Sequence, residues 1–283
     1  MKRYLVASLL SSQFLLFNAA AQSSSQIIED SIKSCVLNTT RRYTVYLPES
    51  YSQSGNRKYP VLYLLHGHSH RNNDWAKDGH LQKTADQHMT SGNSAEMIII
   101  TPDAGSIRNG YFNTTGWSYE TFFFEEFIPY VETRYRVSRD KFSRAIAGFS
   151  MGGGGAVAYA LKYPDMFASV YAMSALMSLP KQGRPSTKDD ESIEFGRSVL
   201  ANDCIALVSY ADSTSLDKLR EIKWFVDCGD EDFLLDVNTE FYKEMRKAGI
   251  PCELRVRDGN HDWKYWRSSL SIALPFISDS FRK

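Results

Sequence analysis

The stretch Gly148-Phe-Ser-Met-Gly152 decides the fold of this chain, because it fits the pattern G-x-S-x-G. An apolar run precedes it at 145–147, and a run of small residues follows it at 153–158. This order predicts a strand, a sharp turn and a helix, with the serine hydroxyl pushed out at the end of the strand. Glycine at the flanking positions avoids collision with neighbouring backbone. Ser150 is therefore the candidate nucleophile.

A serine hydroxyl needs a base, and the base needs a group that orients it. His261 is the one histidine that follows Ser150 in the sequence. It lies in the turn 258–263, directly after the strand-like run 252–256. Serine, acid and histidine in this order along the chain is a known arrangement of a nucleophile, its orienting acid and its base. His261 is therefore the candidate base.

The acid is expected after the strand-like run 222–226, where several carboxylates compete. Asp227 is expected to lie on the strand itself, whereas Asp230 and Asp232 lie in the loop that should face the histidine. We prefer Asp232, because the apolar residues 233–235 after it would hold the loop against the core. Spacing alone leaves Asp230 open, and the losing carboxylate would be a solvated loop charge.

Two backbone N–H groups are expected to stabilise an oxyanion. The residue after the nucleophile supplies one of them, here Met151. The other comes from the loop after the third strand, where the apolar run 61–65 leads into His66-Gly-His68, and His68 is the candidate. Each such donor is worth roughly 3 kcal/mol of the reaction barrier.

Strand-like and helix-like segments alternate along the chain, which predicts an α/β protein with a mostly parallel eight-stranded sheet and helices on both faces. The strand-like segments are two runs within 31–47, then 61–65, 97–101, 145–149, 167–173, 223–227 and 253–257. The helical stretches are 74–89, 119–135, 154–161, 239–247 and 264–277. The polar segment 179–219 breaks the pattern, and we interpret it as an insertion that is either a lid or an irregular surface loop.

Seven segments spread over most of the chain form one recognisable set: Tyr43–Pro48, Tyr59–Gly67, Asn73–Trp75, Glu125–Val131, Arg144–Gly153, Cys228–Phe233 and His261–Trp266. Together they resemble the putative-esterase family of α/β-hydrolases, which includes feruloyl and acetylxylan esterases, S-formylglutathione hydrolases, siderophore esterases and mycolyltransferases. The histidine turn, His-Asp followed by aromatic residues, is most similar to the branch related to secreted feruloyl esterases.

The resemblance implies the α/β-hydrolase fold over residues 22–283 and a serine carboxylesterase that uses Ser150, Asp232 and His261. In the feruloyl esterase branch the acid is the last residue of a Gly-x-x-Asp tetrad, here Gly229–Asp232, which favours Asp232 over Asp230. The family's oxyanion donor follows His-Gly, here His68. A histidine departs from the small or apolar residue expected there, so its side chain could contact substrate.

The N-terminus has the order of a secretory signal peptide at 1–21. Lys2-Arg3 is basic, 4–17 is mostly apolar, and Ala19-Ala-Ala21 precedes Gln22. The apolar part is shorter than the roughly 20 residues of a membrane span, so we expect no stable membrane anchor. We expect export to a periplasm or to the outside of the cell.

The sequence has 33 basic and 33 acidic residues, so it has no excess of positive charge and we expect no nucleic-acid partner. We expect no cofactor and no metal. His66, His68 and His70 alternate, but Arg71 breaks the metallo-hydrolase pattern H-x-H-x-D-H. The four cysteines, Cys35, Cys204, Cys228 and Cys252, allow three disulfide pairings, and free buried thiols are the default expectation.

The expected substrate is a small-molecule or polysaccharide ester with a short acyl or hydroxycinnamoyl group. Among the aromatic residues near the motifs, Trp75 and Trp266 are the candidate substrate contacts, because flat rings suit sugars and phenolic groups. Acyl transfer to a sugar alcohol, or hydrolysis of a siderophore or thioester, would use the same three residues. A non-catalytic carbohydrate-binding protein is a more remote alternative.

Overall fold

A computed structural model describes residues 24–105, 110–179 and 190–281. Eight strands in this part of the chain form one sheet in the order β1-β2-β4-β3-β7-β8-β9-β10, and β5 and β6 form a separate small hairpin. The strands are β1 (Gln26–Ser34), β2 (Thr39–Leu47), β3 (Val61–Leu65), β4 (Ile98–Pro102), β5 (Asn113–Thr114), β6 (Trp117–Ser118), β7 (Arg144–Phe149), β8 (Ser169–Met173), β9 (Lys223–Gly229) and β10 (Cys252–Arg257).

The sheet is mostly parallel, as the alternation of segments predicts. β1 and β2 are antiparallel to each other, and β2 is antiparallel to β4. The other neighbouring pairs are parallel. The carboxyl ends of β3, β7, β8, β9 and β10 therefore meet at one edge, which is where open α/β sheets place their binding sites.

The helices connect the strands and cover both faces of the sheet. They are α1 (Asp74–Lys77), α2 (Leu81–Thr90), α3 (Tyr119–Thr121), α4 (Ile128–Arg134), α5 (Met151–Lys162), α6 (Asp190–Ala201), α7 (Cys204–Ser209), α8 (Ser213–Arg220), α9 (Leu235–Lys247) and α10 (Trp263–Ser278). A π-helical turn, Phe122–Phe127, joins α3 to α4, and short 3₁₀ turns occur at Glu49–Ser52 and Lys141–Ser143.

Successive strand residues point to opposite faces, and both faces are buried. On β3, for example, Tyr63 belongs to the core under α4, α5 and α9, whereas Leu64 belongs to the core under α2 and α10. Because both faces are covered, the central parallel strands β3, β4, β7 and β8 are buried along their whole length and are mostly apolar. This is why short apolar runs located them in the sequence. The edge strand β10 has no fully buried residue and alternates charged and apolar side chains.

Three helical predictions differ from the structure, and one of them is the stretch predicted at 239–247, which begins earlier, at Leu235. The predicted helix at 74–89 is interrupted before α2, where His80 adopts a left-handed conformation with φ of 52°. A Cβ on Gly79 would lie 2.5 Å from the ring of Trp75, so the chain passes too close for a side chain there. The predicted helix at 154–161 begins earlier, at Met151, because the small residues after the sharp turn at Ser150 (the elbow) are already helical.

The proposed insertion is partly described. Helices α6, α7 and α8 occupy 190–220, whereas 180–189 lies outside the described residues, so its role as a lid stays a prediction. The predicted signal peptide, 1–21, also lies outside them. Among the residues the structure describes, none of the helices is both long and apolar enough to cross a bilayer.

Candidate active site

Ser150 occupies a strained turn between β7 and α5. Its φ of 54° and ψ of −121° lie outside the regions that L-residues favour, at a typical cost of about 1–3 kcal/mol. The backbone around it holds this conformation. The Ser150 amide donates to the Met173 carbonyl at 2.9 Å, and its carbonyl accepts from the amides of Gly154 at 3.1 Å and Leu176 at 2.9 Å. The turn is therefore fixed to the end of β8.

The glycines of the motif are required by close packing. A Cβ on Gly148 would lie 2.5 Å from the Gly152 carbonyl oxygen, and one on Gly152 would lie 2.5 Å from the His66 carbonyl oxygen. A Cβ on Gly154 would lie 2.0 Å from the Leu176 carbonyl oxygen. The two glycines of the G-x-S-x-G pattern thus reflect close packing within the elbow and against the segment that follows β3, and Gly154, beyond the pattern, packs on the segment that follows β8.

The structure brings Ser150, His261 and Asp232 together in one hydrogen-bonded line. His261 Nε2 lies 3.0 Å from Ser150 Oγ, and His261 Nδ1 lies 2.8 Å from Asp232 Oδ2. With Asp232 ionised, its carboxylate oxygen can only accept, so Nδ1 carries the proton. In a neutral imidazole, Nε2 is then left with a lone pair that can accept the hydroxyl proton of Ser150.

The environment of Asp232 keeps it ionised despite its burial. Asp232 is only 4% exposed, and burial alone would raise the pKa of its carboxyl group. Hydrogen bonding and charge attraction from His261, together with the amide of Leu234 at 2.9 Å from Oδ1, lower the pKa below its ordinary value instead. The two carboxylate oxygens have separate partners, so the orientation of the carboxylate is fixed.

Asp230, the alternative that the spacing left open, lies elsewhere. Its side chain is exposed, and Oδ1 accepts the amide of Gly259 at 3.0 Å. Asp227 lies on β9, as expected. Of these three aspartates, the structure places Asp232 against His261.

Aromatic rings surround His261. The Phe233 ring centroid lies 4.6 Å away, and Trp266 packs at right angles to the imidazole with a centroid distance of 5.0 Å. Trp266 in turn stacks on Phe149 at 4.1 Å. The imidazole of His261 therefore packs between Phe233, which lies in the loop 230–234 that carries Asp232 (the acid loop), and Trp266 of α10.

The structure corrects the expectation that Trp75 and Trp266 offer stacking faces to substrate. Trp75 is fully buried, and its indole Nε1 donates to the Leu65 carbonyl at 3.2 Å. Trp266 is 4% exposed and contacts Phe149 and His261 instead of solvent. Sequence distance to a motif did not reveal that both indoles fill the core beneath it.

The two candidate oxyanion donors lie in adjoining segments. Met151 is the first residue of α5, so its N–H has no partner within the helix. His68 lies in the loop after β3, whose His66 carbonyl packs on Gly152 next to Met151. The role of these two amides stays a prediction.

The alternating histidines have different surroundings. Burial lowers the pKa of His66 to about 4, and the Ala104 amide donates to its Nε2 at 3.0 Å. His68 packs against Phe195 with ring centroids 5.0 Å apart, and His70 packs edge-on against Phe149 at 5.1 Å. Over 24–105, 110–179 and 190–281, no group of three or more His, Cys, Asp or Glu side chains is arranged to hold a metal ion.

The cysteines are unpaired in the structure. Cys204 and Cys228 are buried, as expected, whereas Cys35 is exposed and Cys252 is half-buried. Cys228 lies near the end of β9 and Cys252 begins β10, four register positions apart. Burial raises the pKa of Cys252 to about 12 and raises the pKa values of Cys204 and Cys228 further. These three thiols are therefore protonated at neutral pH and are poor nucleophiles.

Two further residues support the site and escaped the sequence reasoning. Asn238 of α9 is fully buried, and its amide bridges the Ala175 backbone after β8 (2.9 and 3.2 Å) and the Leu234 carbonyl at 2.8 Å. Asn238 lies on the buried face of α9 with Val237 and Phe241, but it comes just before the helix predicted at 239–247, so the prediction did not include it. Phe195 comes from the insertion, where no motif marked it.

Comparisons with known proteins agree with this geometry. A family model described as "Putative esterase" matches residues 34–277. A solved ferulic acid esterase is 53% identical, with a TM-score of 0.89 over 91% of this chain and 99% of that one. An endo-1,4-beta-xylanase/feruloyl esterase of Xylanibacter ruminicola is 25% identical over 80% of this chain, and an esterase of Mycobacterium tuberculosis is 38% identical over 48% of it.

The chain spans only 28% and 29% of the length of these last two proteins. The family match nevertheless covers the sheet from the end of β1 to α10, including the elbow, the acid loop and the histidine turn. The chain belongs to the putative esterase family and has the α/β-hydrolase fold of that family.

Proposed function

We propose that this protein is an exported serine carboxylesterase that hydrolyses short acyl or hydroxycinnamoyl esters of carbohydrates. The observation that carries the proposal is the line of contacts from Asp232 through His261 to Ser150, at 2.8 and 3.0 Å, on an elbow that has one strained conformation. Family membership and the 53% identical ferulic acid esterase support the reaction class.

The reaction proceeds through an acyl-enzyme. His261 Nε2 takes the proton of Ser150 Oγ as the oxygen attacks the ester carbonyl, and Asp232 stabilises the imidazolium that forms. The amides of Met151 and His68 donate to the oxyanion. The imidazolium then returns its proton to the leaving alcohol, and His261 activates a water molecule that releases the acid.

The proposed substrate preference is argued from Phe195, an aromatic residue of the insertion that lies next to the two candidate oxyanion residues. The Phe195 ring packs on His68, and a Cβ on Gly110 would be in ordinary contact with both Met151 Sδ at 3.6 Å and Phe195 Cε2 at 3.7 Å. Aromatic and thioether side chains therefore adjoin both candidate oxyanion residues. Such a wall favours a flat aromatic acyl group, because offset or edge contacts between rings add about 0.5–1.5 kcal/mol.

Covalent labelling tests the mechanism. We expect a fluorophosphonate probe to add one phosphonyl group to the peptide that contains Ser150, and to abolish release of nitrophenol from an aryl acetate. Heat-unfolded protein, treated in the same way, is the control for nonspecific labelling. Labelling at another residue, with hydrolysis retained, would end the proposed mechanism.

A substrate panel tests the acyl preference. We expect kcat/KM for methyl ferulate to exceed that for an aryl palmitate, and Phe195→Ala to lower it about 2- to 10-fold for the ferulate with little change for an aryl acetate. A clear preference for the palmitate would contradict the proposal. Acetate far above ferulate would reassign the protein as a deacetylase, and product analysis with an added alcohol would reveal acyl transfer.

Export is proposed from the sequence of residues 1–21 and is tested separately. We expect mature protein recovered from the periplasm or medium of an expressing cell to begin near Gln22. Protein retained in the cytoplasm with residues 1–21 attached would contradict export and leave the reaction untouched.

A further inference from the structure

Arg257, the last residue of β10, joins three elements behind the histidine turn. Its guanidinium contacts Asp227 of β9 twice, at 3.2 Å from Nε and 2.9 Å from Nη2. It also donates to the hydroxyls of Ser268 at 2.9 Å and Ser269 at 2.8 Å on α10. The histidine turn is the segment between β10 and α10, so Arg257 ties both of its ends to the strand that leads into the acid loop.

Asp227 is the fixed partner of this arrangement. Its carboxylate is fully buried and accepts from Arg257, from the Tyr265 hydroxyl of α10, and from the Tyr171 hydroxyl of β8 at 2.7 Å. These donors fill the acceptor positions of both oxygens. A buried carboxylate with this many donors has little freedom to move, because each displacement would leave a buried group without a partner.

The contacts continue into the turn itself. The Tyr265 ring packs so closely on Gly259 that a Cβ there would lie 2.4 Å from it. The Gly259 amide donates to Asp230 at 3.0 Å, and its carbonyl accepts from the Glu231 amide at 3.1 Å. The acid loop and the histidine turn are thus joined to each other, and Tyr265 holds that junction against Asp227.

We propose that Arg257, Asp227 and Tyr265 are positioning residues that set the distance and orientation of His261 relative to Asp232 and Ser150. The proposal rests on the proposed function, since it concerns the same reaction. None of the three touches the reacting atoms. Their effect is on geometry, and a displacement of about 1 Å in a reacting group can cost on the order of 10²-fold in rate.

The sharpest test compares two tyrosines that bind the same carboxylate. Tyr265→Phe and Tyr171→Phe each remove one hydroxyl bonded to Asp227, but only Tyr265 lies at the histidine turn. On an aryl acetate we expect Tyr265→Phe to lower kcat per titrated serine at least about 3-fold with KM nearly unchanged, because the loss lies in the transition state. Tyr171→Phe should stay within about 2-fold of the wild type.

Arg257→Gln extends the test with a matched control. We expect it to lower kcat about 10- to 100-fold, while the pH at which the rate falls on the acid side of the pH–rate profile stays the same. Arg144→Gln is the control, since Arg144 pairs with the buried carboxylate of Glu132 at 2.7 Å and begins β7 at the end away from Ser150. It should lower the unfolding temperature without changing kcat per titrated serine.

Equal effects of the two tyrosine substitutions on kcat, or unchanged kcat in Arg257→Gln, would overturn the positioning role. The positioning role would also be overturned if Arg257→Gln shifted the acid limb of the pH–rate profile but left the maximal kcat unchanged. That result would mean that Arg257 acts on His261 through its charge and not through geometry. Wild-type protein without any ester hydrolysis would refute the proposed function instead. The tyrosine variants keep the ring and the charges, so they test the proposal even where Arg257→Gln does not fold.

Discussion

Replacement of Asp232 by asparagine separates the two candidate acids and follows directly from the hydrogen bonds. In the wild type, Oδ1 accepts the Leu234 amide and Oδ2 faces His261 Nδ1. An asparagine has one acceptor oxygen and one donor NH₂ group. If the oxygen keeps the Leu234 amide, the NH₂ group faces His261 and forces Nδ1 to be the acceptor. Nε2 then carries the proton and cannot accept one from Ser150.

The reversed orientation is also unfavourable. The NH₂ group would then face the buried Leu234 amide, and an unpaired buried donor costs about 1–3 kcal/mol. The wrong tautomer should therefore dominate. We expect kcat to fall by about 10³- to 10⁴-fold, which corresponds to roughly 4–5 kcal/mol of barrier.

Asp230→Asn is the matched control, since it makes the same chemical change two residues away. Its exposed Oδ1 accepts the Gly259 amide, and an asparagine oxygen can accept the same bond. We expect less than about a 2-fold change in kcat. Both variants are measured on an aryl acetate, with circular dichroism as the check of folding. An Asp232→Asn variant within 10-fold of the wild type, or a larger loss in Asp230→Asn, would refute this reasoning.

Three further predictions concern the nucleophile, the elbow and pH. Ser150→Ala should lose on the order of 10⁴-fold or more in kcat and remain folded, and near-normal turnover of that variant would rule out a serine mechanism. Gly154→Ala should lower the free energy of unfolding by roughly 1–3 kcal/mol, because the new Cβ meets the Leu176 carbonyl, whereas Gly196→Ala in α6 should not destabilise; denaturant titrations that give equal values contradict this. Burial lowers the pKa of His66 from its ordinary value near 6.5 to about 4. Between these two pH values, His66 therefore binds a proton in the unfolded chain but not in the folded one. Stability should then fall by up to about 3 kcal/mol between pH 6.5 and 4, and His66→Gln should show a smaller fall over that range.

The sequence predicted the elements that are specified by neighbouring residues. The elbow needs small residues within a few positions of Ser150, so its pattern is visible in one stretch of chain. The central parallel strands β3, β4, β7 and β8 are buried on both faces, so they appear as short apolar runs. These two local signals located the central strands of the sheet and Ser150 at its edge, whereas His261 was found from its order along the chain.

The acid was only partly determined in this way. Asp230 and Asp232 lie in the same loop, and which of them turns inward depends on how that loop packs. The resemblance to the feruloyl esterase branch favoured Asp232, and the structure places its Oδ2 2.8 Å from His261. The packing that decides this comes from Leu234 and from the contact of Asp230 with Gly259, which joins residues 29 positions apart.

Only the tertiary structure decided which side chains surround the three residues. Trp75 and Trp266 lie near motifs in the sequence, but the sheet and α10 enclose both indoles. Neither Asp227 nor Arg257 belongs to a recognisable motif. Their side chains form an ion pair because β9 and β10 are neighbouring strands whose carboxyl ends lie at the same edge of the sheet. Local sequence fixes backbone conformation through sterics and burial pattern, whereas burial of a given ring and pairing of distant charges depend on the packing of the whole sheet.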